Sequence, residues 1–165
     1  MSSEQTEFAE FFRTGWEPCV RAVLAVVGSP ALAEDQVAEA FARAWSSWRT
    51  VSRHPAPRAW VVRTALNSGA SWWRRRRREI PLGDYDRAVP AIAGGGLDAA
   101  LLAAIGRLTP RQREVLALRI FLDLDNDTIA RHLGIEAGTV RMHMSRAVAA
   151  LRHELTLTNT TEAGR

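Results

Sequence analysis

Ser71-Trp72-Trp73-Arg74-Arg75-Arg76-Arg77-Arg78 joins two indole rings to an unbroken run of guanidinium groups near the middle of the chain. A guanidinium is a planar fork of donors that matches a phosphate. An indole offers a flat face on which a nucleobase can stack. The pairing suits a nucleic acid, with arginine holding the backbone and tryptophan meeting a base. A short charge run is equally at home as solvated surface, so the rest of the chain has to decide between the two.

A second set of residues carries chemistry of the same kind. Asp127-Thr128-Ile129-Ala130-Arg131-His132-Leu133-Gly134-Ile135-Glu136-Ala137-Gly138-Thr139-Val140-Arg141 has the anatomy of a helix-turn-helix. Ile129, Ala130 and Leu133 pack the first helix inward, and Ala130 is small where two helices cross. Gly134 permits the tight turn, while Ile135 and Val140 plug the space between the helices. The second helix then presents Thr139, Arg141, His143, Met144 and Arg146 on its outer side, where its N-terminal half enters a major groove. Arg141 and Arg146 each suit either a bidentate contact to guanine or a phosphate.

Other chemistries find less support. His54, His132, His143 and His153 have no metal-ligand partners at informative spacing. Asp123, Asp125 and Asp127 alternate like a calcium loop but lack the following glycine and distal glutamate, and read better as helix caps. Gly94-Gly95-Gly96 follows no strand and precedes no Gly-Lys-Ser/Thr. The single cysteine, Cys19, allows no internal disulfide and no cysteine-based zinc site, and its apolar neighbours point to a buried thiol. No catalytic residue, metal or cofactor is expected, and an enzyme is the reading least supported.

Composition agrees. The chain has 165 residues, a formal charge of +4 and 47% hydrophobic residues, which permits real cores and favours a polyanionic partner. Every basic residue is arginine, a bias that GC-rich coding also produces. The N-terminus lacks the basic start and apolar run of a signal peptide, and no stretch approaches the roughly 20 apolar residues of a membrane span. A soluble cytoplasmic protein, without membrane insertion, is expected.

The elements that must position these residues are all helical. Glu7 to Val27 reads as helix with Phe8, Phe11, Phe12 and Trp16 on one face, broken by Gly15 and Pro18. Ser29-Pro30 caps a helix running from Ala31 to about Trp48, with Glu34, Asp35 and Glu39 near its start. His54-Pro55-Ala56-Pro57 interrupts. A third helix spans about Arg58 to Arg78, with a bend expected at Asn67-Ser68-Gly69. Ile80 to Gly96 is punctuated by proline and glycine and reads as a flexible linker. Helices then cover Leu97–Leu108, Thr109-Pro110 through Phe121, Asp127–Leu133 and about Thr139–Leu155, followed by a polar tail, 156–165, expected to fray. The fold class is all-α: two small helical domains, 1–79 and 97–155, joined by the linker at 80–96.

Taken together, the motifs resemble a known family. Arg107-Leu108-Thr109-Pro110-Arg111-Gln112-Arg113-Glu114-Val115-Leu116-Ala117-Leu118-Arg119, the helix-turn-helix, and Ser145-Arg146-Ala147-Val148-Ala149-Ala150-Leu151-Arg152 are similar to region 4 of bacterial extracytoplasmic-function (ECF) sigma factors of the sigma-70 family. Response-regulator output domains share part of that signature. The N-terminal half distinguishes them. Ala33 to Phe41 with Ala44-Trp45 resembles sigma region 2.2, and Ala59 to Asn67 running into Ser71-Trp72-Trp73-Arg74 resembles regions 2.3 and 2.4. Ser71-Trp72-Trp73-Arg74 with Glu79-Ile80-Pro81-Leu82 is similar to an actinobacterial-type subgroup.

The resemblance implies a promoter-specificity subunit of RNA polymerase. It implies core polymerase as partner, through the beta-prime clamp helices and the beta flap, with Asp35 and Glu39 at the acidic positions of the clamp-docking helix. It implies that Asn67 belongs to a pocket for a base flipped from the minus-ten element, with Arg63, Trp72, Trp73, Arg74, Arg75, Arg76, Arg77 and Arg78 on the same DNA. It implies that Arg119, Thr139, Arg141, His143, Met144 and Arg146 meet the minus-thirty-five duplex. An anti-sigma factor is an implied further partner. The chain departs from the family pattern at Ala38, where glutamine is common, at Thr128 in the helix-turn-helix, and at the small pair Ser68-Gly69. A helix-turn-helix regulator acting without core polymerase is the competing reading.

Overall fold

The computed structural model describes residues 2–76 and 98–163; for 69–76 and 162–163 it describes the backbone path alone. Among the described residues every element is a helix: α1 (Ser3–Val27), α2 (Pro30–Ser46), α3 (Trp48–Val51), α4 (Pro57–Arg76), α5 (Ala99–Gly106), α6 (Pro110–Ile120), α7 (Asn126–Leu133) and α8 (Ala137–Ala163). The expected linker, 80–96, lies outside the described residues.

Local sequence explains the helix ends. Ser2 and Gln5 form a capping box at α1, and Thr109 and Gln112 form another at α6, where Pro110 takes the first helical position. Ser29 caps α2 through its side-chain oxygen, with Pro30 following. Gly28 and Gly134 close α1 and α7 with φ of 74° and 66°, a left-handed conformation that glycine adopts without steric cost.

α1 is one helix, and the expected break at Gly15 and Pro18 does not occur. Proline removes one donor from the ladder, but the helix is held on both sides of it by tertiary packing. Cys19, Ala22, Val23 and Leu24 are buried. Gly15 serves close approach: a Cβ there would lie 3.4 Å from Phe41 Cζ and 3.5 Å from Arg58 Nε. Phe8, Phe11 and Trp16 pack with Phe41 and Trp48 in one aromatic cluster, with ring centroids 5.1 Å apart for Phe11 and Trp48. α4 likewise continues without interruption through Asn67-Ser68-Gly69, where a bend was expected.

The tail also departs from expectation. α8 carries on to Ala163. Threonine hydroxyls in this stretch donate back to carbonyls one turn earlier, Thr156 to Arg152 and Thr160 to Thr156, so the polar side chains are satisfied within the helix.

α1, α2 and α4 form the N-terminal bundle, and α5 to α8 form the C-terminal one. The two are in contact. α1 packs on α5 and α6, and the buried apolar side chains of both halves join in a single cluster. Arg113 of α6 donates from Nη1 to the carbonyl of Val26 at 2.9 Å, tying α6 to the end of α1.

Candidate nucleic-acid interface

α4 aligns the N-terminal candidates on one helix. Ala59, Val61, Val62 and Ala65 are buried against α1 and α2, which turns Arg63 and Asn67, one helical turn apart, to the exposed side. Trp72, Trp73, Arg74, Arg75 and Arg76 continue the same helix, with backbone alone described; Arg77 and Arg78 lie outside the described residues.

Asn67 borders an open groove of about 580 Å³ between α2 and α4, shared with Glu39, Arg43, Trp60 and Thr64. Glu39 and Asn67, assigned from sequence to different partners, therefore lie along one groove. Asp35 and Glu39 are both exposed on α2, and Ala38 is exposed beside them. Glu39 accepts from Arg43 Nη2 at 2.6 Å, a surface pair one turn apart.

In the C-terminal half, Asp125 caps α7 by accepting from the Thr128 N–H at 2.7 Å. The hydrogen bonds from Thr128 hold its carboxyl below the ordinary value. Asp123 takes a positive φ of 51° in the preceding turn, and Arg119 Nη1 donates to the Leu124 carbonyl at 2.9 Å, clasping that turn. Ile129, Ala130 and Val140 are buried between α7 and α8, as the helix-turn-helix pattern expects.

The outer side of α8 differs in detail from the sequence reading. Arg141 and Arg146 are exposed, and so are Met142 and Ser145. His143 and Met144 are half-buried instead: Met144 packs on the core, and His143 Nδ1 is buried with no partner among the described residues. The reason is rotation by 100° per residue. Burial of Val140 and Ala147 fixes the inward side, and His143 and Met144 lie one turn from each of them. Thr139 is half-buried at the start of the helix. Arg141 also borders a groove of about 470 Å³ with Arg119, Asn126 and Arg152. Arg152 had no functional assignment from sequence; its spacing from Arg141, three helical turns, was the available signal.

A third cavity, of about 370 Å³, lies between the halves. It is lined by His54, Arg63, Thr64 and Asn67 from one side and by Arg131 and His132 from the other. Arg63 Nη1 donates to the His132 carbonyl at 2.7 Å, and the His54 and His132 rings meet edge to face with centroids 6.2 Å apart. Burial, then the charges of Arg63 and His54, pushes the His132 imidazole down to about 4. No group of histidine, cysteine and carboxylate side chains able to hold a metal occurs among the described residues, and no described helix is long and apolar enough to cross a membrane. Cys19 is buried, and burial raises its thiol to about 12.

Two family models match the chain: Sigma-70 region 2 over residues 17–79 and Sigma-70 region 4 over residues 98–151. The RNA polymerase sigma-E factor of Streptomyces coelicolor is 33% identical over 92% of this chain and 88% of its own length. The ECF RNA polymerase sigma factor SigL of Mycobacterium tuberculosis is 31% identical over 80% of this chain and 79% of its own length. Among solved structures, the sigma factor RpoE of Bartonella quintana, crystallised with the anti-sigma factor NepR, has a TM-score of 0.74 at 23% identity, covering 91% of this chain and 97% of that one.

Proposed function

The chain belongs to the sigma-70 family, as an RNA polymerase sigma factor of the ECF type, and from that premise we propose how its residues divide the work of initiation. The unit 1–79 acts as region 2, 97–155 as region 4, 80–96 as the linker and 156–165 as the tail. Asp35 and Glu39 on α2 dock on the beta-prime clamp helices of core polymerase, and region 4 meets the beta flap. Asn67 reads a base extruded from the minus-ten element, while Arg63 and the Trp72–Arg78 stretch hold that strand. Arg141 and Arg146 read the minus-thirty-five duplex, with Thr139, Arg119 and Arg152 towards its backbone.

The observation that carries this reading is the placement of Arg63 and Asn67 on the exposed side of α4, beside a groove roomy enough for a base and on the helix whose backbone continues through Arg74 to Arg76. Trapping an unpaired base offsets the cost of unstacking it, so binding itself stabilises the melted state. The protein supplies recognition and no bond-making chemistry. It works in the cytoplasm, where polymerase and promoter DNA are. An anti-sigma factor of the kind bound to the Bartonella quintana protein is assigned as a further partner.

Run-off transcription with purified core polymerase tests the proposal. Start sites selected from genomic fragments should share two elements at fixed spacing, and gel shifts on those promoters should require core. Tight promoter binding by the chain alone, unaffected by core, would instead identify a regulator that acts without becoming a polymerase subunit.

A further inference from the structure

The outer face of α8 is defined by what the helix buries. Val140 and Ala147 are buried, and His143, Met144 and Leu151 are half-buried, so these residues set the inward direction. Gly138, Arg141, Met142, Ser145, Arg146 and Ala149 are exposed and form the opposite face. Successive residues of a helix turn by about 100°. Arg141 and Arg146, five residues apart in sequence, therefore stand about 140° from one another, on the two flanks of that face. Gly138, Met142, Ser145 and Ala149 recur at three- and four-residue intervals between them.

The flank at Arg141 is basic. Arg141 shares its groove with Arg119, Asn126 and Arg152, and no carboxylate lines it. The guanidinium folds back towards the start of the helix: a Cβ on Gly138 would stand 3.8 Å from Arg141 Nη2. Such a flank suits phosphate or the acceptors of guanine. Met142 is not part of that groove.

The middle of the face is nearly bare. Gly138, Ser145 and Ala149 are small, which lets the helix come close to base edges. Met142 is the one apolar side chain on this face larger than alanine, and it is 39% exposed. Its exposed neighbours one turn away are Gly138, Ser145 and Arg146, so it belongs to no apolar patch of α8. A thioether is a weak acceptor and no donor, so it gains little from the hydrogen-bonding pattern of base edges. One base carries an apolar group in the major groove, the C5-methyl of thymine. A flexible and polarizable methionine is suited to cover that methyl.

We propose that Met142 is a specificity-determining residue, packing on a thymine methyl within the stretch of upstream duplex that Arg141 and Arg146 flank. The inference rests on the assignment of α8 to that duplex. It adds an apolar contact to a face otherwise expected to work through charge and hydrogen bonds, and neither arginine senses the methyl.

The test uses holoenzyme assembled from the full-length chain. Upstream elements selected from randomised duplexes are expected to fix a thymine–adenine pair at one position at least. Uracil, which pairs as thymine does but lacks the methyl, then replaces each thymine in turn on either strand. At one position uracil should weaken binding by about fourfold, the effect of one buried methyl-sized group. Met142→Ala should bind the thymine and uracil duplexes alike. Met142→Leu, which keeps an apolar side chain of similar size, should retain the discrimination. Each comparison is made within one protein, thymine against uracil, so any change in the folded fraction cancels.

A selected element without a thymine–adenine pair overturns the inference. Uracil tolerated at every position overturns it too, as does a uracil penalty that Met142→Ala retains in full. In those cases a footprint over the upstream element still leaves α8 on the duplex, and the methyl contact alone falls. If the unsubstituted holoenzyme protects no upstream element, the duplex assignment itself falls and the inference with it.

Discussion

Glu39 of α2 and Asn67 of α4 border the same groove, although one is assigned to the polymerase and the other to the promoter strand. The two substitutions should separate these steps. Glu39→Ala is expected to weaken core binding by about tenfold, in the range of one charged contact. Asn67→Ala should leave core affinity unchanged and reduce promoter opening by about tenfold or more, as removal of a hydrogen-bonded base partner does. Anisotropy titrations with core and permanganate footprints of the melted strand measure the two quantities. Identical profiles for both substitutions would show that the groove has one partner.

On α8, exposure distinguishes the side chains proposed to read the duplex from those that pack on the core. Arg141→Ala or Arg146→Ala should reduce binding of the holoenzyme to the upstream element by roughly 1–3 kcal/mol. Met144→Ala should lower thermal stability instead, because Met144 packs on the core. Its promoter preference should be unchanged. Selection from randomised upstream elements distinguishes these outcomes, and a new preference for Met144→Ala would assign it to the duplex.

Replacing Arg74, Arg75 and Arg76 together by glutamine should weaken holoenzyme binding on every promoter. The slope of log affinity against log salt should flatten by about 0.7–0.9 for each phosphate that is no longer neutralised. A weakening restricted to one promoter sequence would mean that the run reads bases.

Asp125→Ala should destabilise the helix-turn-helix by removing the acceptor for the Thr128 N–H. The carboxyl is held below its ordinary 3.8, so its contribution is complete above that value and disappears as the pH falls through the lower, folded one. Melting curves should therefore separate wild type from variant at neutral pH and converge in strong acid. A constant gap across the range would indicate that the charge is not involved.

Gln36 is 5% exposed, and its amide nitrogen and oxygen have no hydrogen-bond partner among the described residues. Burying an unsatisfied amide costs roughly 1–3 kcal/mol. Gln36→Leu should accordingly raise the unfolding midpoint in urea. A lower midpoint would mean that water or a neighbour satisfies the amide in solution.

Much of this was legible in the sequence because the signals are local. Ser29-Pro30, Thr109-Pro110, Asp125 and Gly134 mark helix ends through chemistry within four residues, and each falls where the structure places it. Pro18 misled because tertiary packing, which no local rule contains, outweighs a missing donor. His143 and Met144 are half-buried where the pattern places them on the outer side, because the inward direction of α8 depends on which residues α6 and α7 bury. The Arg63–His132 bond joins residues 69 positions apart, and no periodicity encodes it.

Cys19 has a practical consequence. Thiolate, the reactive form, is scarce for a buried group with a value of about 12, and access is closed as well. Maleimide dyes will pass it by in the folded protein. Surface cysteines placed on α3 and α8 can thus carry a fluorophore pair without first removing the native thiol, and the separation of the two halves becomes measurable molecule by molecule during initiation.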